Sequence, residues 1–469
     1  MADQAQTQQF VDKFWEDEIV PTITEYISIP NVSSMFDPSW QENGHVDRAL
    51  ELVRGWLEEH KPEGTTLHVG RLEGRTPLLL LEVPGKSDDT ILMYGHLDKQ
   101  PEMTGWSEGL GAWKPVRDGD KLYGRGGADD GYAVFASICS LLALHEQDVE
   151  HARVVILIEF SEESGSPDLP AYVEHFAKEI GTPSLIVCLD SGAGNYDQLW
   201  STTSLRGLVG AKLRADVLDE GVHSGDASGI VPSSFRVLRQ LISRLEDETT
   251  GAILPDELTV EIPEQRRDQA GRVAEVLSEE IVSKFPWAGN MRGVSNDPTE
   301  LILNRTWRPA LSITGQEGMP ALKDAGNVLR PYTTLSLSLR IPPTLDPKLA
   351  RNVLDELLTK DPPYGANITL DFHEPAPGWN APALAAWLDD ALDEASQAFY
   401  GKPALHMGEG GSIPFMGMLG EKFPEAQFVI TGVLGPQSNA HGPNEFLHIG
   451  YAKKLTACVT QVIEKHFLR

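Results

Sequence analysis

Ile91-Leu92-Met93-Tyr94-Gly95-His96-Leu97-Asp98 is an apolar run that ends in a glycine and then sets a histidine and an aspartate two residues apart. The run reads as a buried strand, and Gly95 as its break at a sheet edge. In an open α/β sheet, ligands gather at the carboxyl ends of the strands. A histidine there can hold a metal ion. An aspartate two residues on can accept a hydrogen bond from the ring's other N–H and so orient it. His-x-Asp is a common pattern by itself, so its weight depends on what the other strands end on.

Working outward, residues 154–160 form a second apolar strand that runs straight into Ser161-Glu162-Glu163-Ser164-Gly165-Ser166. Residues 184–189 form a third, ending at Asp190. Carboxylates are seldom buried without partners. Three core strands that finish on His96, Glu162-Glu163 and Asp190 therefore point to a site rather than to packing. Residues 105–127 are rich in Gly and Trp and read as an irregular loop of functional length. Gly124-Arg125-Gly126-Gly127-Ala128-Asp129-Asp130 closes it, before an apolar helix over 132–145. Upstream lie an amphipathic helix over 8–27, with Phe10, Phe14, Ile19 and Ile23 on one face, a helix over 46–58 and a strand over 78–83. A helix over 169–180 separates the second and third strands. This alternation of strand and helix argues for an α/β sheet.

The texture changes near Arg206. Strands over 208–217, 310–314, 333–341 and 367–372 and helices over 233–245 and 347–359 read as a small α+β sandwich, with a partly helical insertion over 250–308. The first pattern resumes near Pro382 with a helix to Tyr400. There follow Gly408-Glu409-Gly410-Gly411-Ser412, a strand over 427–430, a loop carrying His441 and a final helix over 451–466. The expected division is a first domain of 1–206 and 382–469, interrupted by an inserted domain of 207–381.

Composition narrows the function. The 469 residues carry 39 basic and 69 acidic side chains, a formal net charge of −30, which disfavours nucleic acid and anionic membranes as partners. Cys139, Cys188 and Cys458 are far apart in apolar runs and read as buried thiols, not as a disulfide framework or a cysteine zinc cluster. No run approaches the ~18 apolar residues of a membrane span, and the polar stretch at 1–9 is not followed by an apolar signal segment. The expectation is a cytoplasmic protein.

Taken together, Gly95-His96-Leu97-Asp98, Leu122-Tyr123-Gly124-Arg125-Gly126, Ser161-Glu162-Glu163-Ser164-Gly165-Ser166, His223-Ser224-Gly225 and Glu409-Gly410-Gly411-Ser412-Ile413-Pro414 resemble the co-catalytic dinuclear zinc peptidases. That family includes carnosinases, cytosolic non-specific dipeptidases, aminoacylases and glutamate carboxypeptidases, and the dipeptidase branch is the most similar. The likeness covers nearly the whole chain. It implies an α/β fold: a mixed-sheet catalytic domain with an inserted α+β, ferredoxin-like lid and dimerisation domain. It implies two divalent ions per subunit, Zn²⁺ foremost with Mn²⁺ or Co²⁺ as alternatives, held by His96, Asp129, Glu163, Asp190 and His441, with Asp129 as the bridge. The residues alone leave Asp129 and Asp130 open; register with the family selects Asp129. Nitrogen and oxygen donors suit zinc, and two cations need an anion between them.

By the same resemblance Asp98 would orient His96, and Glu162 would be the general base, taking a proton from a metal-bridged water and passing it to the leaving amine. His223 would reach into a partner subunit's site and stabilise the oxyanion, which implies a homodimer. Arg340 would grip the substrate's terminal carboxylate by its planar fork, aided by Asn327 and Ser412, and Glu409 could face a free amine. The expected activity is metal-dependent hydrolysis of dipeptides or short peptides with a free C-terminal carboxylate. A carboxypeptidase or N-acyl-amino-acid amidohydrolase with the same site is the near alternative. An inactive binding or regulatory relative is the alternative of another class, and it conflicts with the presence of Glu162 and the full donor set. Three departures bear on specificity. Gly131 stands where the family's dipeptidases usually have Lys, Asn327 replaces the usual threonine, and the family's extra histidine has no counterpart around Trp379-Asn380.

Overall fold

The computed structural model describes residues 1–411 and 413–469. The chain divides into two compact units. The first is Met1–Thr202, Ala381–His406 and Met418–Arg469; the second is Thr203–Asn380 and Met407–Gly417. In chain order, the strands of the two largest sheets are β1 (Thr66–Gly70), β2 (Leu78–Val83), β3 (Thr90–His96), β4 (Arg153–Glu159), β5 (Pro183–Cys188), β6 (Gly207–Asp216), β7 (Ala310–Glu317), β8 (Tyr332–Ile341), β9 (Asn367–Phe372) and β10 (Gln427–Ile430).

The first unit is built on the sheet β1-β2-β4-β3-β5-β10. The inner pairs β4–β3, β3–β5 and β5–β10 are parallel, and β1 and β2 add antiparallel edges. Parallel strands covered on both faces need apolar side chains at nearly every position, and β3 is buried throughout. Helix Ala133–His145 packs on Ile449–Leu468, which packs in turn on Gln4–Phe14 and Ala386–Tyr400. The stretch Gly127–His145 is long and apolar enough to cross a membrane, but it is 94% buried inside the protein, as a core helix is.

This sheet order positions the site. β3 lies between β4 and β5, all three parallel, so their carboxyl ends meet at one edge. β3 ends on His96, β4 on Glu159 with a one-turn helix at Glu162–Ser164 just beyond, and β5 on Cys188 with Asp190 two residues on. Gly95 is required by close approach. A Cβ there would lie 2.7 Å from the Ala133 Cβ and 2.8 Å from Asp130 Oδ2. Gly95→Ala is therefore expected to cost about 1–3 kcal/mol. The readout is a lower denaturation midpoint with an unchanged slope.

The second unit has an antiparallel sheet, β7-β8-β6-β9. β6 and β8 alternate strictly between buried and less buried positions, so one face is covered. Helices Ser234–Leu245 and Pro347–Thr359 pack on each other and on β6, around a core that includes Val209, Leu213, Leu241, Leu339 and Leu354. The stretch read as a partly helical insertion holds Glu264–Leu277, Glu280–Ser283 and Pro298–Thr306.

Several local features differ from the sequence reading. β1 is an additional strand; its burial does not alternate cleanly, which hid it. The first helix begins at Gln4, capped by the Asp3 side chain, and passes through a π turn at Trp15–Ile19. Pro21 has no N–H to return to Asp17, so the helical ladder shifts at that point. The expected helix over 169–180 breaks at Phe176 into Leu169–His175 and Ala177–Ile180.

Candidate metal centre

His96 leaves β3 with its ring fully buried. Nδ1 lies 3.2 Å from the Asp98 carbonyl oxygen and 3.3 Å from Asp98 Oδ1. Nε2 is buried and makes no hydrogen bond to a described residue. Asp129 Oδ1 stands 3.5 Å from it and Asp190 Oδ2 3.7 Å. On the other side of Asp129, Oδ2 is 3.0 Å from His441 Nε2, which in turn is 3.3 Å from Glu163 Oε2. Two donors of a tetrahedral zinc, each ~2.0–2.1 Å from the ion, would stand about 3.3 Å apart. The donors thus form two groups, His96–Asp129–Asp190 and Asp129–Glu163–His441, which share Asp129 through different oxygens.

The electrostatics point the same way. Burial opposes protonation of His96, but Asp129, Asp190 and Asp98 outweigh it and hold the ring's pKa well above the usual histidine range. Burial and the Asp129 charge push Asp190 up to about 7 and Glu163 well up. Burial would also raise Asp129, yet His441 and His96 pull it below the usual carboxylate range. Packing this many acids around two imidazoles is costly without cations, and divalent ions would remove the cost. The orphaned Nε2 and the all-N/O donor set fit such ions.

Glu162 lies on the turn after β4, its carboxylate 4.0 Å from His96 Nε2 and its side chain 13% exposed. Burial, then Asp190, push its pKa well up. Asp98 does more than face His96. Its two carboxylate oxygens accept the backbone N–H groups of Glu162, at 3.0 Å, and Glu163, at 2.9 Å. One aspartate thus aligns the strand ends that carry His96 and the acidic pair.

Around the centre stand Asp130, the alternative bridge in the sequence reading, and Gln100, Glu159, Arg125 and Glu445, to which that reading assigns no role. Gln100 donates Nε2 to Glu163 Oε2 at 2.6 Å. Asp130 is fully buried and accepts the His96 backbone N–H at 3.2 Å. Glu159 accepts from Tyr94 Oη at 2.6 Å and Ser166 Oγ at 2.8 Å, and burial pushes its pKa up to about 7. Arg125 and Glu445 form a buried ion pair. For Glu445 a signal existed: an acid four residues past His441, directly before the apolar Phe446-Leu447.

The remaining candidates belong to the second unit. Arg340 sits on β8 opposite Leu208, half-buried, its guanidinium with no hydrogen bond to a described residue; burial lowers its pKa. Arg206 donates to the carbonyls of Gly410, Asn304 and Arg308 at 3.2–3.3 Å, and burial, with Arg340 and Arg305 nearby, lowers it to about 10. His223 starts the turn Ser224–Ala227, and its Nδ1 accepts the Gly225 N–H at 3.1 Å. Asn327 is exposed, and its carbonyl accepts the Ser224 N–H at 2.9 Å, so it ties down the turn beside His223. Glu409 ends the strand Leu405–Glu409, and its carbonyl accepts the Arg206 N–H at 3.4 Å. Ser412 lies outside the described residues.

Comparison with known proteins gives a consistent picture. The model of peptidase family M20/M25/M40 matches residues 92–465. A cysteinylglycine-S-conjugate dipeptidase of Corynebacterium striatum is 28% identical over 383 residues, 78% of this chain and 79% of that protein. The solved structure of the dipeptidase Dug1p from Saccharomyces cerevisiae superposes with a TM-score of 0.78 at 21% identity, covering 100% of this chain and 99% of that one. The M20 family metallo-carboxypeptidase Sso-CP2 from Sulfolobus solfataricus gives 0.76 at 20% identity, over 97% and 100% of the two chains. At such identities these two likenesses speak for the fold alone.

Proposed function

The chain belongs to peptidase family M20/M25/M40, and on that premise we propose that it hydrolyses dipeptides and other short peptides with a free C-terminal carboxylate, using two divalent ions. His96, Asp129 and Asp190 would hold one ion, and Asp129, Glu163 and His441 the other. The observation that carries this reading is the orientation of Asp129, whose two oxygens face two separate donor groups. Zinc is the proposed metal, since imidazole and carboxylate donors suit it.

Divalent ions in these positions supply Lewis acidity, acidifying water and polarising a carbonyl. Glu162 would take the proton of the attacking water and deliver it to the leaving amine nitrogen. Asp98 would keep Glu162 in place through the backbone and hold the His96 ring with Nε2 free to donate its lone pair. Arg340 has an unengaged guanidinium that would bind the substrate's terminal carboxylate bidentately. Glu409 would receive the free amine, and Asn327 and Ser412 would complete the substrate's surroundings.

The proposal includes a homodimer through the second unit, with His223 of the partner subunit stabilising the oxyanion. Exposed apolar side chains close in sequence to His223 and Asn327 are in keeping with such a face: Ile230 is 83% exposed and Leu322 94%. It also includes a cytoplasmic location, in keeping with three buried free cysteines.

The test compares a free dipeptide with its N-acetylated twin on the Zn²⁺- or Mn²⁺-loaded protein. The free dipeptide is expected to be cleaved faster by about 10²-fold or more, because acetylation removes the charge that would pair with Glu409. Equal or faster cleavage of the acetylated compound would transfer the assignment to a carboxypeptidase or N-acyl-amino-acid amidohydrolase.

A further inference from the structure

We propose that Arg125 and Glu445 are positioning residues, forming a clamp that sets the second donor group, Asp129–Glu163–His441, while leaving the first largely independent. The proposal rests on the dinuclear reading above. Arg125 and Glu445 are 320 positions apart in sequence, and both are essentially excluded from solvent. Their side chains form an ion pair, and each also grips the other's backbone neighbourhood. Arg125 Nη2 donates to the Gly442 carbonyl at 2.8 Å, one residue past His441. Glu445 Oε1 accepts the Gly126 N–H at 2.9 Å, three residues before Asp129. The Glu445 carbonyl accepts the Gly124 N–H at 3.0 Å.

The loop that carries His441 needs such a tie. Gln437, Asn439, His441 and Asn444 all have φ between 55° and 65°, in the left-handed region that non-glycine residues avoid. A backbone held in that state persists only where its surroundings over-determine it. The His441 side chain is 55% exposed, and it meets the acids at its tip, Nε2 lying 3.0 Å from Asp129 Oδ2 and 3.3 Å from Glu163 Oε2. Outside the clamp, the loop is held by the Ser107 N–H, which donates to Asn444 Oδ1 at 2.8 Å, by Tyr196 Oη, which donates to the Pro436 carbonyl at 3.2 Å, and by the Phe446 N–H, which donates to the Ser438 carbonyl at 3.1 Å. Lys99 closes the base of the clamp. Its buried ammonium donates to the carbonyls of Tyr26 at 2.7 Å and Ile29 at 2.8 Å, and its stem fills the space beside Gly126, where a Cβ would come within 2.6 Å of it. The first donor group has different supports. His96 and Asp190 stand on strand ends of the main sheet, and only Asp129 is common to both groups.

The clamp therefore joins the segment before Asp129 to the segment after His441, and its loss should open the second group first. The experiment is calorimetric titration of the metal-free full chain with Zn²⁺, beside thermal melting of the metal-free protein. Three proteins are compared: the native chain, Arg125→Lys, and the double variant Arg125→Met/Glu445→Leu. Arg125→Lys keeps the charge, but a lysine cannot serve Glu445 and the Gly442 carbonyl in one fork. The double variant removes the pair without leaving an unpaired buried charge, and such replacements often keep stability. The native chain should take up two ions. Both variants should bind the first ion as the native chain does and the second about 10- to 100-fold more weakly, the range seen when groups that orient ligands are removed. Melting of the double variant near the native temperature, with the second ion weakened, is the result a merely fold-stabilising pair would not produce. Native affinity for both ions in either folded variant overturns the clamp, and so does equal weakening of the two. Uptake of fewer than two ions by the native chain overturns the dinuclear reading instead.

Discussion

Glu162→Gln is expected to lower kcat by about 10²–10⁴-fold, the usual weight of a general base, with little change in KM or in ions bound per chain. The substitution keeps the size and planarity of the side chain and removes its ability to accept a proton. Nothing in the scaffold should follow, because the link that fixes residue 162 is its backbone N–H to Asp98, which glutamine retains. Glu162 also suits a base better than a ligand. Its carboxylate approaches His96 Nε2 only to 4.0 Å, outside both donor groups, and it has no hydrogen bond to a described residue. In the metal-free chain, burial and Asp190 raise its pKa. Steady-state kinetics with metal analysis of the same sample decides the matter. A retained kcat sinks the base assignment. Loss of one ion along with activity would make Glu162 a ligand.

How far the site could be read from the chain depended on the length scale of each signal. His96, Glu162-Glu163 and Asp190 were visible because each follows an apolar run, and a strand with a polar terminus is a local pattern. That β4, β3 and β5 are neighbours, which brings those ends together, is a pairing fact carried by no single segment. Asp129 and His441 sit in glycine-rich loops and came from motif resemblance, not from periodicity. The Arg125–Glu445 pair spans 320 positions, and no local pattern links the two residues. The His-x-Asp spacing makes Asp98 a partner for the His96 ring, but the two backbone N–H groups it accepts depend on the turn geometry at Glu162–Ser164, which no side-chain pattern encodes. The inserted unit shows the other limit. Its strict alternation on β6 and β8 is plain in sequence, whereas the membership of Met407–Gly417 rests on contacts with residues distant in the chain.

Asp129→Ala should remove more than any other single donor. His441→Ala or Asp190→Ala would each disable one group, while Asp129 belongs to both. The expected result is loss of tight binding for both ions, turnover falling to background, and disappearance of stabilisation by added metal. The last effect has a definite size. A ligand that binds only the folded state stabilises it by about 2.7 kcal/mol at a concentration of 100 Kd, so the native chain should melt several degrees higher with Zn²⁺ than without. In Asp129→Ala that difference should vanish. The metal-free variant should melt lower than the metal-free native chain, because Asp129 is held below the usual carboxylate range by His441 and His96 and its removal leaves both rings without their carboxylate. His96 and His441 lose their attraction to the same carboxylate, so their pKa values should fall, and the metal-free variant should take up fewer protons at neutral pH. Differential scanning calorimetry with and without Zn²⁺ measures the outcome directly. If Asp129→Ala keeps one tightly bound ion and about half of the metal-dependent shift, the two groups do not share this carboxylate, and the bridge lies elsewhere.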